Sequence, residues 1–343
     1  MMKNLLFCIS VVVLLHFAVA NADDTAFGGS GALPFPIKQS GVKMVNDYIA
    51  LRGNDINRKN FKGAWHVTCL FTFKNTRDKI LKFRMGFPLP VRERIGEIVT
   101  PYGYSANIGD PLVYNFSVWI NGVLVPVKRY KIAARRDKEM YYKHAYIWNI
   151  VFAPRQTIKI RHEYSTGITV NALGHSYVSY VLKTGAMWQG GKIGHMKIEV
   201  IPNVPTRMCR ELPARESQYF ESTPPGVKII GSKANRKYVW DLKNFHPTKD
   251  FDLCLQTGQD YLRYRFIYKI LDDKAVLKKL TKAKLNLLKN MIFAQYGRVF
   301  KNPRLQAYFD KQWWYVRNPS YSNVMLSQDD KKAIAIIINQ IKH

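Results

Sequence analysis

Hydrophobic and polar residues alternate along most of the chain, from Val42 to about Tyr261. In residues 64–73 one set of alternate positions is apolar, and it consists of Trp65, Val67, Cys69, Phe71 and Phe73. The same alternation recurs at residues 81–87, 114–120, 158–164 and 196–200, with shorter candidates at 227–230 and 238–242. A period of two is typical of half-buried strands, and about eight or more of them separated by turn residues predict an antiparallel β-sandwich.

One hairpin is predicted by its turn. Asn121-Gly122 separates the apolar stretches 118–120 and 123–125. Both residue types accept the positive φ angles of a two-residue type I′ turn, which joins antiparallel strands.

The period changes to that of helices beyond about Asp272. Thr281 can cap a first helix that ends at Gly297, Asn302-Pro303 can start a second, and Ser327 with Asp330 resembles a capping box for a third. We therefore expect a mainly β protein with a small α domain, in which a three-helix region follows the sandwich. The predicted boundaries are 23–261 for the β-rich domain and 262–343 for the helical domain.

The N-terminal residues have the layout of a signal peptide. Lys3 precedes an apolar run from Leu5 to Ala20, which closes on the small-x-small sequence Ala20-Asn21-Ala22. The run is shorter than the roughly 20 residues of a membrane-spanning helix, and the sequence offers no second run of that length. We expect cleavage after about Ala22, a periplasmic or secreted product, and no transmembrane segment.

Charge narrows the choice of partner. The 343 residues include 53 Lys plus Arg against 24 Asp plus Glu, a net charge of +29, while 47% of the residues are hydrophobic. The apolar content is enough for a packed core and excludes general disorder. The charge should produce a long-range field that attracts anions.

Three cysteines remain after cleavage: Cys69, Cys209 and Cys254. Cys69 lies on the apolar side of its strand, so we interpret it as an inert buried thiol. Export makes disulfides possible, and a Cys209–Cys254 bond would close a loop of about 45 residues and contribute a few kcal/mol in the chain-entropy model. Two free thiols are the alternative.

The C-terminal sequence resembles a known family. Residues 288–303 (LKNMIFAQYGRVFKNP), followed by Leu305, Tyr308-Phe309, Trp313-Trp314-Tyr315 and Leu326-Ser327, are similar to the YARHG domain of secreted bacterial proteins. The resemblance covers about residues 283–342. The name-giving motif reads Phe293-Ala294-Gln295-Tyr296-Gly297 here, and it departs from the family at its first, third and fourth positions.

The β-rich portion resembles the uncharacterised secreted domain that often precedes this module. The resemblance rests on residues 42–44, 73–75, 85–88, 152–154 and 180–188 together with Tyr164. Both resemblances imply an extracytoplasmic bacterial protein at the cell envelope. Neither implies an activity, and no catalytic residue can be transferred.

A first candidate binding surface interleaves basic and aromatic residues at 128–144. Its candidate contacts to a polyanion are Arg129, Lys131, Arg135 and Arg136, with neighbouring tyrosines available for ring stacking. The alternative is a solvated edge whose tyrosines pack inward.

A second candidate surface lies in the helical domain. A module this small needs large apolar residues, so at least one of Trp313 and Trp314 should pack with Phe300 and Phe309. The other tryptophan could be a platform for a sugar ring or an anionic polymer. The basic residues expected to surround it are Arg298, Lys301 and Arg304.

Signals of catalysis or metal binding are weak. The sequence has no Gly-x-Ser-x-Gly elbow, and His66, His162, His195 and His246 occur singly rather than in a His-Glu-x-x-His spacing. We expect no catalytic residue, metal or cofactor. The sequence favours non-catalytic association with anionic envelope material such as peptidoglycan or a membrane surface. The alternatives are an envelope hydrolase with an unrecognised site, or a secreted protein that binds nucleic acid or a host surface.

Overall fold

The computed structural model describes residues 35–36, 41–54, 64–89, 98–99, 107, 109–132, 144–171, 173–212 and 221–342. The predicted signal peptide, residues 1–22, lies outside this part of the chain. Within it, no helix is long and apolar enough to cross a membrane.

Strands dominate the described residues up to 257, as the alternation predicts. They are β1 Phe35–Pro36, β2 Val42–Asn54, β3 Ala64–Asn75, β4 Leu81–Pro88, β5 Ile98–Val99, β6 Val113–Ile120, β7 Val123–Val125, β8 Lys128–Lys131, β9 His144–Phe152, β10 Thr157–Thr166, β11 Ile168–Val170, β12 Ser176–Tyr180, β13 Ile193–Ile201, β14 Thr206–Met208, β15 Lys228–Ile230, β16 Lys237–Phe245 and β17 Phe251–Thr257. The Asn-Gly hairpin is confirmed: β6 pairs with β7, and Asn121 and Gly122 have φ angles of 49° and 87°.

The described strands form three sheets. The orders are β1-β4-β9-β8, β15-β16-β13-β2-β3-β10-β6-β7 and β14-β17-β12-β11-β5. One pairing differs from the antiparallel prediction, because β13 runs parallel to β2. The two strands are far apart in sequence, so no hairpin forces them to be antiparallel, and both have the buried alternate residues that either direction of pairing needs.

All three sheets contribute to one hydrophobic core. Phe71 of the eight-stranded sheet, Phe87 of the four-stranded sheet and Tyr180 of the five-stranded sheet are each at most 1% exposed. The Sγ atom of Cys69 lies 3.2 Å from the hydroxyl of Tyr180. Burial raises the pKa of the Cys69 thiol, which agrees with its interpretation as inert.

Two titratable side chains are enclosed in this core. Asp47 is 2% exposed, and its carboxylate oxygens accept no hydrogen bond from the described residues. His162 is 0% exposed, and four rings surround it edge-on, with centroids 5.0 to 5.7 Å from its own: Phe71, Phe87, Phe116 and Trp148. The core therefore holds an acid and a base, both among apolar neighbours.

The helical C-terminal region begins at Gly258, directly after β17. Its helices are α1 Gly258–Leu262, α2 Tyr268–Asp272, α3 Ala275–Lys278, α4 Lys282–Ala294, α5 Pro303–Asp310 and α6 Gln328–Lys342, and a π-helical turn, Arg263–Ile267, joins the first two. The three predicted helices correspond to α4, α5 and α6. Residues 258–272, between the last strand and the first predicted helix, are helical as well. The boundary at residues 261 and 262 stays a prediction.

Candidate functional site

A groove with a volume of about 580 Å³ crosses the outer face of the eight-stranded sheet. The residues that line it come from β2, β3, β6, β10 and β13 and from the β6–β7 turn. The exposed or partly exposed ones are Asn46, Tyr48, Leu70, Thr72, Trp119, Gly122, Lys159, Arg161, His195 and Lys197, and the buried residues Asp47, Phe71 and Ile160 complete the lining. Aromatic and basic side chains therefore share one concave surface.

Strand register sets the order of these side chains. Trp119 lies opposite Arg161, Arg161 opposite Leu70, Leu70 opposite Tyr48, and Tyr48 opposite Lys197. Residues directly opposite on neighbouring strands project from the same face. The five residues form a continuous row, called here the aromatic row, and four strand spacings make it about 19 Å long.

Arg161 and Trp119 form one end of the aromatic row. The guanidinium carbon of Arg161 lies 4.0 Å from the centre of the Trp119 ring. The stacking supports the guanidinium, whose side chain is 42% exposed. Nη1 of Arg161 also lies 3.5 Å from Oε1 of Glu163. A stacked arginine that remains accessible can bind carboxylate or phosphate oxygens through two parallel hydrogen bonds.

Tyr48 and Lys197 form the other end. Both contact Glu199, since the Tyr48 hydroxyl donates to Oε2 at 2.9 Å and the Lys197 ammonium lies 2.7 Å from Oε1. The hydrogen bond to Glu199 raises the pKa of Lys197 and keeps it charged. The Lys197 nitrogen also lies 5.8 Å from the Tyr48 ring centre. This end offers a fixed aromatic face and a cation that is partly neutralised.

A second row of polar side chains runs beside the aromatic row. Lys159 lies opposite Thr72, Thr72 opposite Asn46, and Asn46 opposite His195. The imidazole Nε2 of His195 is 2.8 Å from Oδ1 of Asp241. The polar row thus supplies hydroxyl, amide and ammonium groups next to the rings, a combination suited to a ligand with both ring faces and polar substituents.

The first candidate surface predicted from sequence lies elsewhere. Arg129 and Lys131 are exposed on β8, in the four-stranded sheet, and Nη2 of Arg129 donates to the Gly109 carbonyl at 3.3 Å. Arg135 and Arg136 lie outside the described residues. Binding at these four positions stays a prediction.

The second predicted surface is largely packed. Trp314 is 5% exposed, and its ring centre lies 5.8 Å from that of Phe309. The Trp313 ring is covered by the Arg207 guanidinium, 4.7 Å from its centre. Arg298 lies over Phe293 at 4.8 Å. Lys301 and Arg304 are exposed. One tryptophan therefore has the core position expected, and a platform at Trp313 stays a prediction.

The described residues include three cysteines, of which two are bonded to each other and one is free. Cys209 and Cys254 form a disulfide with a Cα–Cα distance of 5.4 Å, 45 residues apart in sequence. Cys69 is a free, buried thiol.

Comparison with known proteins identifies the relatives of the chain. Residues 264–342 match the YARHG domain, a longer segment than the one predicted from the sequence. A "putative nutrient binding protein" from Legionella pneumophila is 46% identical in sequence. Its crystal structure matches this one with a TM-score of 0.84, over 91% of this chain and 98% of the other.

The chain belongs to the same family as this Legionella protein, and it carries a YARHG domain.

Two further solved structures are distantly similar. An M1 zinc metallopeptidase from Deinococcus radiodurans is 8% identical, with a TM-score of 0.26 over 64% of this chain and 42% of the other. A putative protease from Parabacteroides distasonis is 9% identical, with a TM-score of 0.29 over 89% and 60%. No curated protein matches the chain.

The name-giving motif of the YARHG domain connects two helices. Gln295 and Tyr296, which replace the Arg and His of the motif, follow the C-terminal end of α4. The Gln295 side-chain nitrogen donates to Oδ1 of Asp330 at 2.9 Å, and Asp330 is 0% exposed in the first turn of α6. Ser327 completes the predicted capping box, since its backbone N–H and its hydroxyl donate to Oδ2 of Asp330 at 2.8 and 2.7 Å.

The motif also faces a cleft of about 420 Å³ between the YARHG domain and the β-rich body. Gln295, Tyr296, Gly297 and Trp314 line one side, and Asn203 and Thr257 contribute from the other. The hydrogen bonds of Gln295 and Tyr296 to Asp330 explain these residues structurally, so the cleft carries less chemistry than the groove.

Sequence reasoning missed the groove. The alternation already places Arg161 and Tyr48 on the outer side of their strands, but only the register across β2, β3, β6, β10 and β13 brings them into one row. Long-range register has no local signature.

Proposed function

We propose that the protein is an extracytoplasmic, non-catalytic binding protein whose ligand is an anionic polymer of the cell envelope, such as peptidoglycan. The observation that carries the proposal is the aromatic row in the groove of the eight-stranded sheet. A row about 19 Å long offers contacts to more than one unit of a chain-like ligand.

The chemistry of the groove fits such a ligand. Arg161, Lys159 and Lys197 supply positive charge to carboxylates or phosphates. The rings of Trp119 and Tyr48 supply flat apolar faces for sugar rings, and the polar row supplies hydrogen-bonding groups. The net charge of +29 adds a long-range attraction that brings an anionic polymer to the surface.

The extracytoplasmic location rests on separate support. Residues 1–22 have the pattern of a signal peptide that is cleaved after about Ala22. The Cys209–Cys254 disulfide is a feature of oxidising compartments. The resemblance of the C-terminal residues to the YARHG domain of secreted bacterial proteins agrees with both.

The Legionella relative supports the binding role. Its name, "putative nutrient binding protein", describes a binding function. A nutrient would be a small molecule rather than a polymer, so the experiment below has to separate the two.

Cosedimentation with purified peptidoglycan over a range of salt concentrations tests the proposal. We expect mature wild-type protein to be retained at salt concentrations that release it from DNA. Arg161→Glu should weaken retention about tenfold or more by removing the stacked cation of the row. Lys82→Glu is the matched control, because it makes the same change in net charge at an exposed position of β4.

Other outcomes would contradict the proposal in distinct ways. Equal losses in Arg161→Glu and Lys82→Glu would mean that net charge alone explains retention. Loss of peptidoglycan and DNA binding at the same modest salt would have the same meaning. Release of soluble fragments would indicate a hydrolase, and retention that a small nutrient alone competes away would favour the role named for the relative.

A further inference from the structure

One end of the groove carries available positive charge. Lys159, Arg161 and Glu163 are alternate residues of β10 on the outer face of the sheet, and their formal charges total +1. Lys159 is exposed and has no ion pair with another residue in the described part of the chain. Oε1 of Glu163 lies 3.5 Å from Nη1 of Arg161, a longer separation than the 2.7 Å between Lys197 and Glu199. An anionic group of a ligand therefore finds a cation at this end.

The other end of the groove has the opposite charge. Asp241 of β16 lies opposite Lys197, so it is next in line across the sheet. The hydrogen bond from His195 lowers the pKa of the Asp241 carboxyl, so that Asp241 is ionised at neutral pH. With His195 neutral, the formal charges of Lys197, Glu199 and Asp241 total −1. A proton on His195 brings this total to zero, so the β13 end has no net positive charge in either state.

Glu199 is held in place by both of its oxygens. Oε2 accepts the hydrogen bond of the Tyr48 hydroxyl at 2.9 Å, and Oε1 lies 2.7 Å from the Lys197 ammonium. The Glu199 side chain is only 12% exposed. Burial opposes its ionisation, but the hydrogen bonds from Lys197 and Tyr48 outweigh this effect and lower the pKa of the carboxyl. The negative charge is therefore a fixed part of the groove.

The surface between the two ends is uncharged. Leu70, which is 44% exposed, and the ring of Tyr48 lie there, next to the hydroxyl and amide side chains of the polar row. Arg161 and Lys197 are three strand spacings apart, about 14 Å. A ligand that spans this distance meets a cation, then a neutral surface, and then a carboxylate that already neutralises its lysine.

We propose, on the basis of the envelope-binding function above, that the ligand is a sugar chain in which an anionic unit is followed by uncharged units, and that Glu199 determines this preference. The anionic unit binds at Lys159 and Arg161. The uncharged units that follow lie along Leu70 and Tyr48. A chain charged on every unit would bring an anion against Glu199, and the repulsion disfavours it. Nucleic acid, which has a charge on every unit, is disfavoured for the same reason.

Calorimetric titration of the mature protein with three tetrasaccharides tests the preference. They are chitotetraonic acid, with a carboxylate at one end only, chitotetraose, with none, and tetragalacturonate, with one on every unit. We expect wild type to bind chitotetraonic acid at least about fivefold more tightly than either of the others. Lys159→Gln should weaken the binding of chitotetraonic acid and leave that of chitotetraose unchanged.

Glu199→Gln separates the charge of this residue from its hydrogen bonding. Glutamine keeps an oxygen for the Tyr48 hydroxyl, removes the negative charge and releases Lys197. We expect this variant to bind tetragalacturonate about fivefold more tightly than wild type does, with no change for chitotetraose. Asp272→Asn is the matched control, because it makes the same change in net charge at an exposed position of α2 and should bind tetragalacturonate as wild type does.

Several results would overturn the preference. Wild type that binds tetragalacturonate as tightly as chitotetraonic acid would exclude selection against evenly charged chains. Equal gains in Glu199→Gln and Asp272→Asn would assign the effect to net charge, and no gain in Glu199→Gln would exclude its role. Cosedimentation of wild type with peptidoglycan separates these failures from failure of the envelope-binding function. If the protein is retained and the three sugars bind equally or not at all, only the preference is refuted. If it is not retained, envelope binding is refuted as well.

Discussion

Tyr296 donates its phenolic hydrogen to Oδ2 of Asp330 across 2.6 Å. Tyr296 lies in the turn after α4 and Asp330 in the first turn of α6, 34 residues later. The same carboxylate lies 3.4 Å from Nη2 of Arg263, in the π-helical turn. Three segments of the domain therefore meet at one buried charge, and Tyr296 performs a structural task at the position where the family has histidine.

Removal of this hydroxyl should destabilise the YARHG domain. Tyr296→Phe deletes a hydrogen bond to a buried carboxylate, and we expect a loss of about 1.5–3 kcal/mol. Urea unfolding of the full chain, followed by tryptophan fluorescence, measures it. Tyr308→Phe is the control, because Tyr308 is 38% exposed. Equal midpoints for Tyr296→Phe and wild type would show that the contact contributes nothing.

Replacement of Gly297 should destabilise the protein for two reasons, its positive φ angle and the lack of space for a side chain. Its φ angle is +81°, and an added Cβ would lie 2.4 Å from the Val316 carbonyl oxygen and 2.6 Å from Cβ of Asn318. Gly226 has a φ of +84° with nothing within 4 Å. Gly226→Ala should therefore show only the backbone penalty of about 1 kcal/mol, and Gly297→Ala a larger loss in thermal unfolding. Similar losses would mean that the contact relaxes without cost.

Asp47 should make stability depend on pH. Burial raises the pKa of its carboxyl well above the usual range. The folded protein favours the neutral acid. The contribution of Asp47 to the free energy of unfolding is therefore complete below about pH 3.9, the pKa of the carboxyl in the unfolded chain, and is lost as the pH rises through its pKa in the folded protein. Asp47→Asn should remove this loss, so that between pH 4 and pH 7 the variant gains stability relative to wild type.

Chemical denaturation at several pH values measures the Asp47 effect. Asp272→Asn, at an exposed position, is the matched control and should parallel wild type. An Asp47→Asn curve that parallels wild type would contradict the assignment of a buried neutral carboxyl.

His162 should make the protein less stable as the pH falls, which is opposite to the effect of Asp47. Burial lowers its pKa to about 3, so the neutral imidazole stabilises the fold above pH 6.5. That contribution falls as pH drops from about 6.5 to 3, by up to about 1.4 kcal/mol per pH unit. His162→Phe should flatten this part of the stability profile, and His66→Gln, at a partly exposed position of β3, should not. If the free energy of unfolding of His162→Phe falls as steeply as that of wild type between pH 6.5 and 3, the prediction is contradicted.

Local signals in the sequence predicted the elements well. The alternation from Trp65 to Phe73 corresponds to β3, and the Thr281 cap is real, since its hydroxyl accepts from the Lys284 N–H at the start of α4. Such features depend on residues within one turn or one strand, so they can be predicted without knowledge of the tertiary structure.

Features that depend on distant residues were not predictable. The parallel pairing of β13 with β2 and the alignment of Trp119 with Lys197 across the groove both arise from register between distant segments. The helix that starts at Gly258 was missed for a different reason, since it has no change of composition before it and follows β17 without a linker.

The central position of β2 has a consequence for biosynthesis. Tyr48 of β2 contacts Glu199 of β13, 151 residues later, so one edge of β2 stays open while the intervening chain is made. Loop closure over that distance makes the pairing a late event. A nascent or prematurely terminated chain that ends before β13 lacks Lys197 and the strand that pairs with this edge of β2. Such a chain cannot form the groove. Only a chain translated past that strand can complete the aromatic row.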